Sequence, residues 1–118
     1  MIGILDHVYY WTSDMDRAIG FYTDVLGLAV LRRDGDEWAE LDAGPVRFAL
    51  HGTDPSAAAP PSGTVVLRVE DLDAARWTLQ QRGVAFDGHV GEVEGFARFA
   101  TFHDPDGNPV QIIEYAAR

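Results

Sequence analysis

The sequence contains no cysteine and no lysine, and both absences limit what the protein can do. Without cysteine among its 118 residues, disulfides, thiolate chemistry and cysteine-based zinc sites are excluded. Any metal must then be held by His, Asp, Glu or Gln. Without lysine, the nine basic residues are all arginines, scattered along a chain with a formal net charge of −10. Since phosphate neutralisation requires clustered cations, nucleic acid and anionic membranes are poor candidates as partners.

Long apolar runs are also absent. The longest apolar segments fall far short of the ~20 residues that a membrane helix needs. The N-terminal stretch MIGILDHVYYW lacks the basic start of a signal peptide and has Asp6 and His7 within its apolar run. We therefore expect a cytoplasmic protein that does not bind membranes. The length of 118 residues is that of one ordinary globular domain.

An internal repeat organises the chain. The stretch WTSDMDRAIGFY matches RVEDLDAARWTL, so that Asp14 aligns with Asp71, 57 positions later. Each aspartate is an acceptable helix N-cap, and apolar residues at helical spacing follow it. Gly27 and Gly83 suit the left-handed position that ends a helix, although they are one residue out of phase with the other matches.

Short β segments surround each predicted helix. One precedes the helix, at Ile4–Thr12 and at Thr64–Val69. Three follow it, at Leu28–Arg33, Glu37–Asp42 and Val46–His51 in the first half, and at Val84–His89, Ala97–His103 and Pro109–Tyr115 in the second. The turn sequences RDGD and DPDGN favour tight connections between strands. Each half therefore reads β-α-β-β-β.

The segment GTDPSAAAPPSG between the halves has the composition of a linker. Halves of ~50 residues would be marginal alone, so we expect them to share one fold. The sequence thus predicts a single domain over residues 1–118. Module one comprises residues 1–51, the linker residues 52–63, and module two residues 64–118.

Two stretches resemble a known family. LDHVYYWTSDMDRAIGFYTDVLGLAV and FHDPDGNPVQIIEY are similar to the opening and closing motifs of the vicinal oxygen chelate superfamily, which includes glyoxalase I and bleomycin-binding proteins. The resemblance covers the whole chain. It implies an α+β, glyoxalase-like fold in which two βαβββ modules form curved, mixed half-barrel sheets around a shared pocket. It also implies a homodimer, since members of this size commonly pair.

The resemblance also implies where a metal would be held. Metal-using members take ligands from the first and last strands of a module. His7 stands at such a position, but Thr64, Gln111 and Ala49 stand at the others. A hydroxyl and an amide are weak ligands for a divalent ion, and alanine offers none. We therefore favour no metal cofactor. If a divalent metal were bound, His7, His51 and Gln111 would be its ligands.

The candidate ligand pocket consists of His7, Trp38, Phe48, His51, Thr64 and Gln111. In the family, the positions of His7 and Gln111 converge on one site, and imidazole and amide offer complementary donors and acceptors. Trp38 and Phe48 lie on strands of the first half and would add aromatic lining. The alternatives are structural: His7 as a hydrogen-bonded core histidine, and His51 as a partly exposed strand end.

Three functions remain open from the sequence. The first, which we favour, is a metal-free protein that binds a small molecule, as bleomycin-binding proteins do. The second is a lyase, isomerase or transferase that depends on a divalent metal. The third is a metal-free enzyme with His7 as general base, a role that an imidazole pKa near ~6.5 suits. No Gly-x-Ser-x-Gly motif or phosphate-binding loop points to another chemistry.

Overall fold

The computed structural model describes residue 3, residues 7–54 and residues 63–117. Contacts divide the chain into two compact units. The first unit comprises Met1–Ser62 with Pro105–Gly107, and the second comprises Gly63–Asp104 with Asn108–Arg118. Within the described ranges, no helix is long and apolar enough to cross a membrane.

The first unit is built on a four-stranded sheet, here called sheet 1. Its elements are β1 (His7–Thr12), α1 (Met15–Gly20), a π-helical turn (Phe21–Val25), β2 (Ala29–Asp34), β3 (Trp38–Asp42) and β4 (Arg47–Gly52). The strands lie in the order β1-β4-β3-β2. The β1–β4 pair is parallel and the other two pairs are antiparallel.

The second unit repeats this arrangement on sheet 2. Its elements are β5 (Val65–Arg68), α2 (Leu72–Gln81), β6 (Asp87–Val93), β7 (Ala97–His103) and β8 (Pro109–Tyr115). The strand order β5-β8-β7-β6 corresponds to that of sheet 1, with β5 and β8 parallel. Each unit is therefore a βαβββ module with an open mixed sheet, and the predicted α+β, glyoxalase-like fold class is confirmed.

Both helices begin as the sequence predicts. The Asp14 carboxylate accepts the backbone N–H of Arg17 at 3.1 Å, and that of Asp71 accepts the N–H of Ala74 at 3.0 Å. Each bond satisfies one of the amides that the first helical turn leaves without a partner. Gly83 follows Arg82, the C-cap residue of α2, and its φ of 91° is the left-handed conformation that closes a helix.

The first helix widens before it ends. In the π-helical turn, the Leu26 amide donates to the Phe21 carbonyl at 3.1 Å, five residues back rather than four. The Thr23 hydroxyl donates to the Ile19 carbonyl at 2.8 Å. This side-chain bond engages a carbonyl of the helix and accompanies the wider backbone spacing.

Each sheet packs one face against its own helix. In the first unit, the buried side chains of this face and of the helix include Tyr10, Met15, Ala18, Tyr22, Leu41, Phe48 and Leu50. In the second unit, they include Leu72, Leu79, Ala100, Phe102, Val110 and Ile112. Burial of these apolar side chains is the main favourable term in forming each module. It also leaves the opposite face of each sheet for other residues.

Element boundaries agree in some places and differ in others. Strands β7 and β8 have the predicted bounds, whereas β6 begins at Asp87 rather than Val84 and continues to Val93. Before the strand pairs with β7, the ring of Phe86 packs on Phe102 with centroids 5.2 Å apart. Gly52, assigned to the linker, is the last residue of β4. Residues 55–62 of that linker lie outside the described residues, and the single domain stays a prediction.

Candidate functional site

Sheet 1 presents a cluster of rings on the face opposite its helix. Side chains alternate between faces along a strand, so β1, β3 and β4 each contribute to this face. We call the cluster the aromatic face; it consists of His7, Tyr9, Trp11, Trp38 and His51. Trp11, His51 and Trp38 are register partners across the three strands, which places them in one row.

The rings of the aromatic face contact one another. The centroids of Trp11 and His51 are 4.2 Å apart, and Trp38 lies edge-on to His7 at 5.4 Å and to His51 at 5.5 Å. His7 and Trp38 belong to β1 and β3, so their rings meet over the intervening strand β4. The β4 residue there is Ala49, which is fully buried. A side chain as small as alanine leaves room for the two rings to meet.

A carboxylate that the sequence analysis did not single out lies on the same face. Glu40 accepts a hydrogen bond from Trp38 Nε1 at 3.1 Å and one from Arg47 at 3.0 Å. Its side chain is only 12% exposed. Alternate residues of a strand share a face, so the sequence WAE indicates that Trp38 and Glu40 lie side by side on one face of β3. The carboxylate orients the indole of Trp38 and is itself neutralised by Arg47.

Gln111 lies in the second unit, on the face of sheet 2 opposite α2. Its Nε2 donates to the Thr101 hydroxyl at 3.1 Å, and the two residues are cross-strand partners. Because the bond uses the Nε2 group as donor, the amide oxygen is the acceptor that Gln111 could offer to a ligand. Thr64 directly precedes β5 and is exposed.

The six predicted pocket residues fall into three groups. His7, Trp38 and His51 come together on the aromatic face. Gln111 and Thr64 belong to the second unit, and the convergence of Gln111 with His7 stays a prediction. Phe48 lies on the helix-covered face of sheet 1, where it packs on Tyr22. Its alternation with Ala49 directs it away from the aromatic face, so we leave it out of the site.

The donors at the positions that the resemblance assigns to metal ligands form a weak set for a divalent ion. They amount to one imidazole at His7, one hydroxyl at Thr64, one amide at Gln111 and nothing at Ala49. In the part of the chain that the structure describes, no three His, Asp or Glu side chains are grouped so that they could hold a metal ion.

A polar cluster around Asp106 could not be predicted from the sequence, because its members are far apart along the chain. The Asp106 carboxylate accepts hydrogen bonds from the Thr12 hydroxyl at 2.6 Å and from the amide of Ser13 at 3.1 Å, and pairs with Arg17 at 2.9 Å. Its side chain is 1% exposed. Burial raises the pKa of Asp106, but the bonds from Thr12 and Ser13 and the charge of Arg17 outweigh it and hold the pKa below its ordinary value.

The DPDGN turn presents Asp106 to this cluster. Asp104 closes the turn by accepting from both the backbone N–H and the side-chain amide of Asn108, each at 2.8 Å. Gly107 provides the positive φ of 85° that the turn requires. The motif predicted a turn correctly, and the structure adds that its central aspartate stabilises the corner between β1 and α1.

Comparisons with known proteins agree with this architecture. Residues 4–112 match the family model described as Glyoxalase/Bleomycin resistance protein/Dioxygenase superfamily. Lactoylglutathione lyase of Haemophilus influenzae is 28% identical over 92% of this chain and 90% of its own. A probable chloroplastic lactoylglutathione lyase of Arabidopsis thaliana is 31% identical over 92% of this chain, which spans only 35% of that relative.

Among solved structures, TnmS3, an antibiotic binding protein from Streptomyces sp. CB03234, superposes with a TM-score of 0.74. It is 28% identical, and the match covers 98% of both chains.

Proposed function

Because the chain belongs to the glyoxalase/bleomycin resistance protein/dioxygenase superfamily, we propose that it binds a small molecule without using a metal ion. The observation that carries the proposal is the aromatic face of sheet 1, with the Glu40 carboxylate beside it. Small-molecule sites are mostly apolar and contain a few polar groups that fix the ligand's orientation. The rings offer stacking and edge contacts to a planar ligand. His7 and His51 add ring nitrogens at the same surface.

The donor set supports the metal-free part of the proposal. The single imidazole at His7 is joined by a neutral hydroxyl at Thr64 and a neutral amide at Gln111, and Ala49 offers no donor. The similarity to TnmS3, an antibiotic binding protein, favours binding over catalysis. We further expect that the protein is a cytoplasmic homodimer and that Gln111 contributes to the same ligand site as His7.

The alternative is an enzyme of the same superfamily. The relatives of 28% and 31% identity are named lactoylglutathione lyases, which favours a metal-dependent lyase, isomerase or transferase. A metal-free enzyme with His7 as general base is the other form of this alternative. Such an enzyme would also need a second acid–base group, and Glu40 is a poor candidate because its carboxylate is held by hydrogen bonds from Trp38 and Arg47.

A thermal-shift screen of small metabolites and aromatic drugs tests ligand binding. A compound present at ~100 times its Kd should stabilise the wild-type protein by about 2.7 kcal/mol. His7→Ala, Trp38→Ala and Gln111→Ala should each remove most of that stabilisation, because each deletes a ring or amide of the proposed site. Trp77→Ala is the matched control, since Trp77 is 63% exposed on α2 and the substitution deletes the same side chain.

The screen can also contradict the proposal. If hits stabilise the three site variants as strongly as the wild type and the Trp77 variant, the ligand binds elsewhere. If only Gln111→Ala retains full stabilisation, the binding surface belongs to sheet 1 alone, and the expected convergence of His7 with Gln111 is wrong.

Metal analysis separates the proposal from its main alternative. After dialysis against trace-metal buffer, we expect far less than one equivalent of zinc, nickel, manganese or iron per chain, because the donor set is too weak to compete with water. About one equivalent of any of these metals would overturn the metal-free proposal. His7→Ala, His51→Ala and Gln111→Ala would then show which side chains hold it.

A further inference from the structure

A cleft lies entirely within the second unit, and none of its lining residues belongs to the aromatic face. Its volume is about 810 Å³, and it is lined by Arg68, Val69, Glu70, Phe96, Tyr115 and Ala116. The cleft lies where β5 ends and where the chain leaves β8. It therefore combines two strand ends, two rings and two opposite charges.

The apolar part of the cleft consists of two large rings that remain well exposed. Phe96 is 49% exposed and Tyr115 is 39% exposed, with ring centroids 5.4 Å apart in an edge-to-face arrangement. Their backbones are tied together, because the Ala116 amide donates to the Phe96 carbonyl at 2.8 Å. The rings are thus held in place and offer an apolar surface to a ligand.

The cationic part is Arg68, whose guanidinium lies 4.8 Å from the centroid of the Tyr115 ring. Stacking of this kind holds the guanidinium plane and leaves its N–H edge for a hydrogen-bond acceptor. Within residues 7–54 and 63–117, no carboxylate lies in ion-pair distance of Arg68. Other arginines that do have a carboxylate at 2.7 to 3.0 Å are Arg17, Arg32, Arg33, Arg47 and Arg98.

We propose that this cleft binds a small monocarboxylate with an aromatic or aliphatic body. The carboxylate would accept two parallel hydrogen bonds from Arg68, the geometry that guanidinium groups favour. The body would lie on Phe96 and Tyr115. Glu70 lines the same cleft and repels anions, which restricts the site to a single negative charge near Arg68.

The test is a titration followed by ¹H–¹⁵N NMR of the isotope-labelled full chain. The probes are 3-phenylpropanoate, its neutral analogue 3-phenylpropanamide, and acetate, which has the charge without the apolar body. We expect saturable shifts of the Phe96, Tyr115 and Ala116 amides with 3-phenylpropanoate, at a Kd of about 1–10 mM for so small a ligand. 3-Phenylpropanamide and acetate should each bind at least ~10-fold more weakly, since the first lacks the negative charge and the second lacks the apolar body.

Variants assign the effect to named side chains. Arg68→Gln should weaken 3-phenylpropanoate binding ~10-fold or more, and Phe96→Ala should weaken it as well. Glu70→Gln should strengthen it. Arg32→Gln makes the same charge change on β2 and should leave the affinity unchanged, as should His7→Ala. The amide spectrum of each variant reports whether it is folded.

Three outcomes would overturn the proposal. The first is wild-type affinity in folded Arg68→Gln. The second is equal binding of the carboxylate and its neutral amide. The third is a set of shifted amides that excludes Phe96 and Tyr115. Loss of binding in His7→Ala together with wild-type affinity in Arg68→Gln would instead place the ligand on the aromatic face.

Discussion

Replacing Asp106 with alanine should lower the free energy of unfolding by about 3 kcal/mol, as expected for removing one partner of a buried, hydrogen-bonded ion pair. The carboxylate is 1% exposed, and its loss removes the acceptor of the Ser13 amide and the ion-pair partner of Arg17. The Thr12 hydroxyl loses its acceptor at 2.6 Å and retains the Asp14 carbonyl at 3.0 Å. Urea denaturation followed by circular dichroism measures the change. Asp16→Ala is the control: Asp16 pairs with Arg33 at 2.7 Å but is 84% exposed, so its loss should matter far less.

The pH dependence of Asp106 gives a second measurement of the same prediction. Because its pKa is lowered in the folded protein, the carboxylate contributes stability above the unfolded-state pKa of ~3.9, and that contribution is lost as the pH falls through the folded-state value. Wild type should therefore lose more stability between pH 7 and pH 3 than Asp106→Asn. Parallel pH profiles for the two proteins, or equal effects of the Asp106 and Asp16 substitutions, would contradict the assigned role.

Replacing Phe48 with alanine should cost about 3–5 kcal/mol of unfolding free energy, the range for deleting a buried phenylalanine ring. Phe48 is 1% exposed, and its ring contacts Tyr22 at a centroid distance of 4.9 Å and Tyr10 at 5.5 Å. The relaxed core cannot fill the space that the ring leaves. Chemical denaturation at fixed pH measures the change.

Phe96→Ala provides the matched comparison, because the same side chain is removed from a position that is 49% exposed. We expect it to cost about 1 kcal/mol or less. If Phe48→Ala were no more destabilising than Phe96→Ala, Phe48 would not be a core residue, and its place in a ligand pocket would have to be reconsidered.

Much of the fold could be predicted because its signals are local. The caps at Asp14 and Asp71 and the turn before β8 depend on residues within a few positions of one another, and strands β7 and β8 have the expected bounds. Strand β6 was misplaced because its sequence, DGHVGEV, has no apolar alternation. The glycine at position 91 is required by a contact with a different strand. Gly91 lies against the ring of Phe99, and a Cβ at this position would collide with that ring.

The site was less predictable because its geometry depends on register. Trp38 and Phe48 were both expected to line a pocket, but Trp38 pairs with His51 while Phe48 pairs with Leu41, which puts them on opposite faces. Glu40 is held on the aromatic face by a hydrogen bond from Arg47 on the next strand. Asp106 meets Thr12 across 94 positions of sequence. A single sequence carries no information on strand register or on such distant contacts.

The π-helical turn at Phe21–Val25 bears on how the two halves diverged. Thirteen positions separate Asp14 from Gly27, but twelve separate Asp71 from Gly83, so the first copy is one residue longer at this point. In a regular helix, one inserted residue would rotate every later side chain by about 100°. The wide turn takes up the added residue locally. After duplication, the two copies could thus differ in length by one residue while the order and pairing of the strands that follow were preserved.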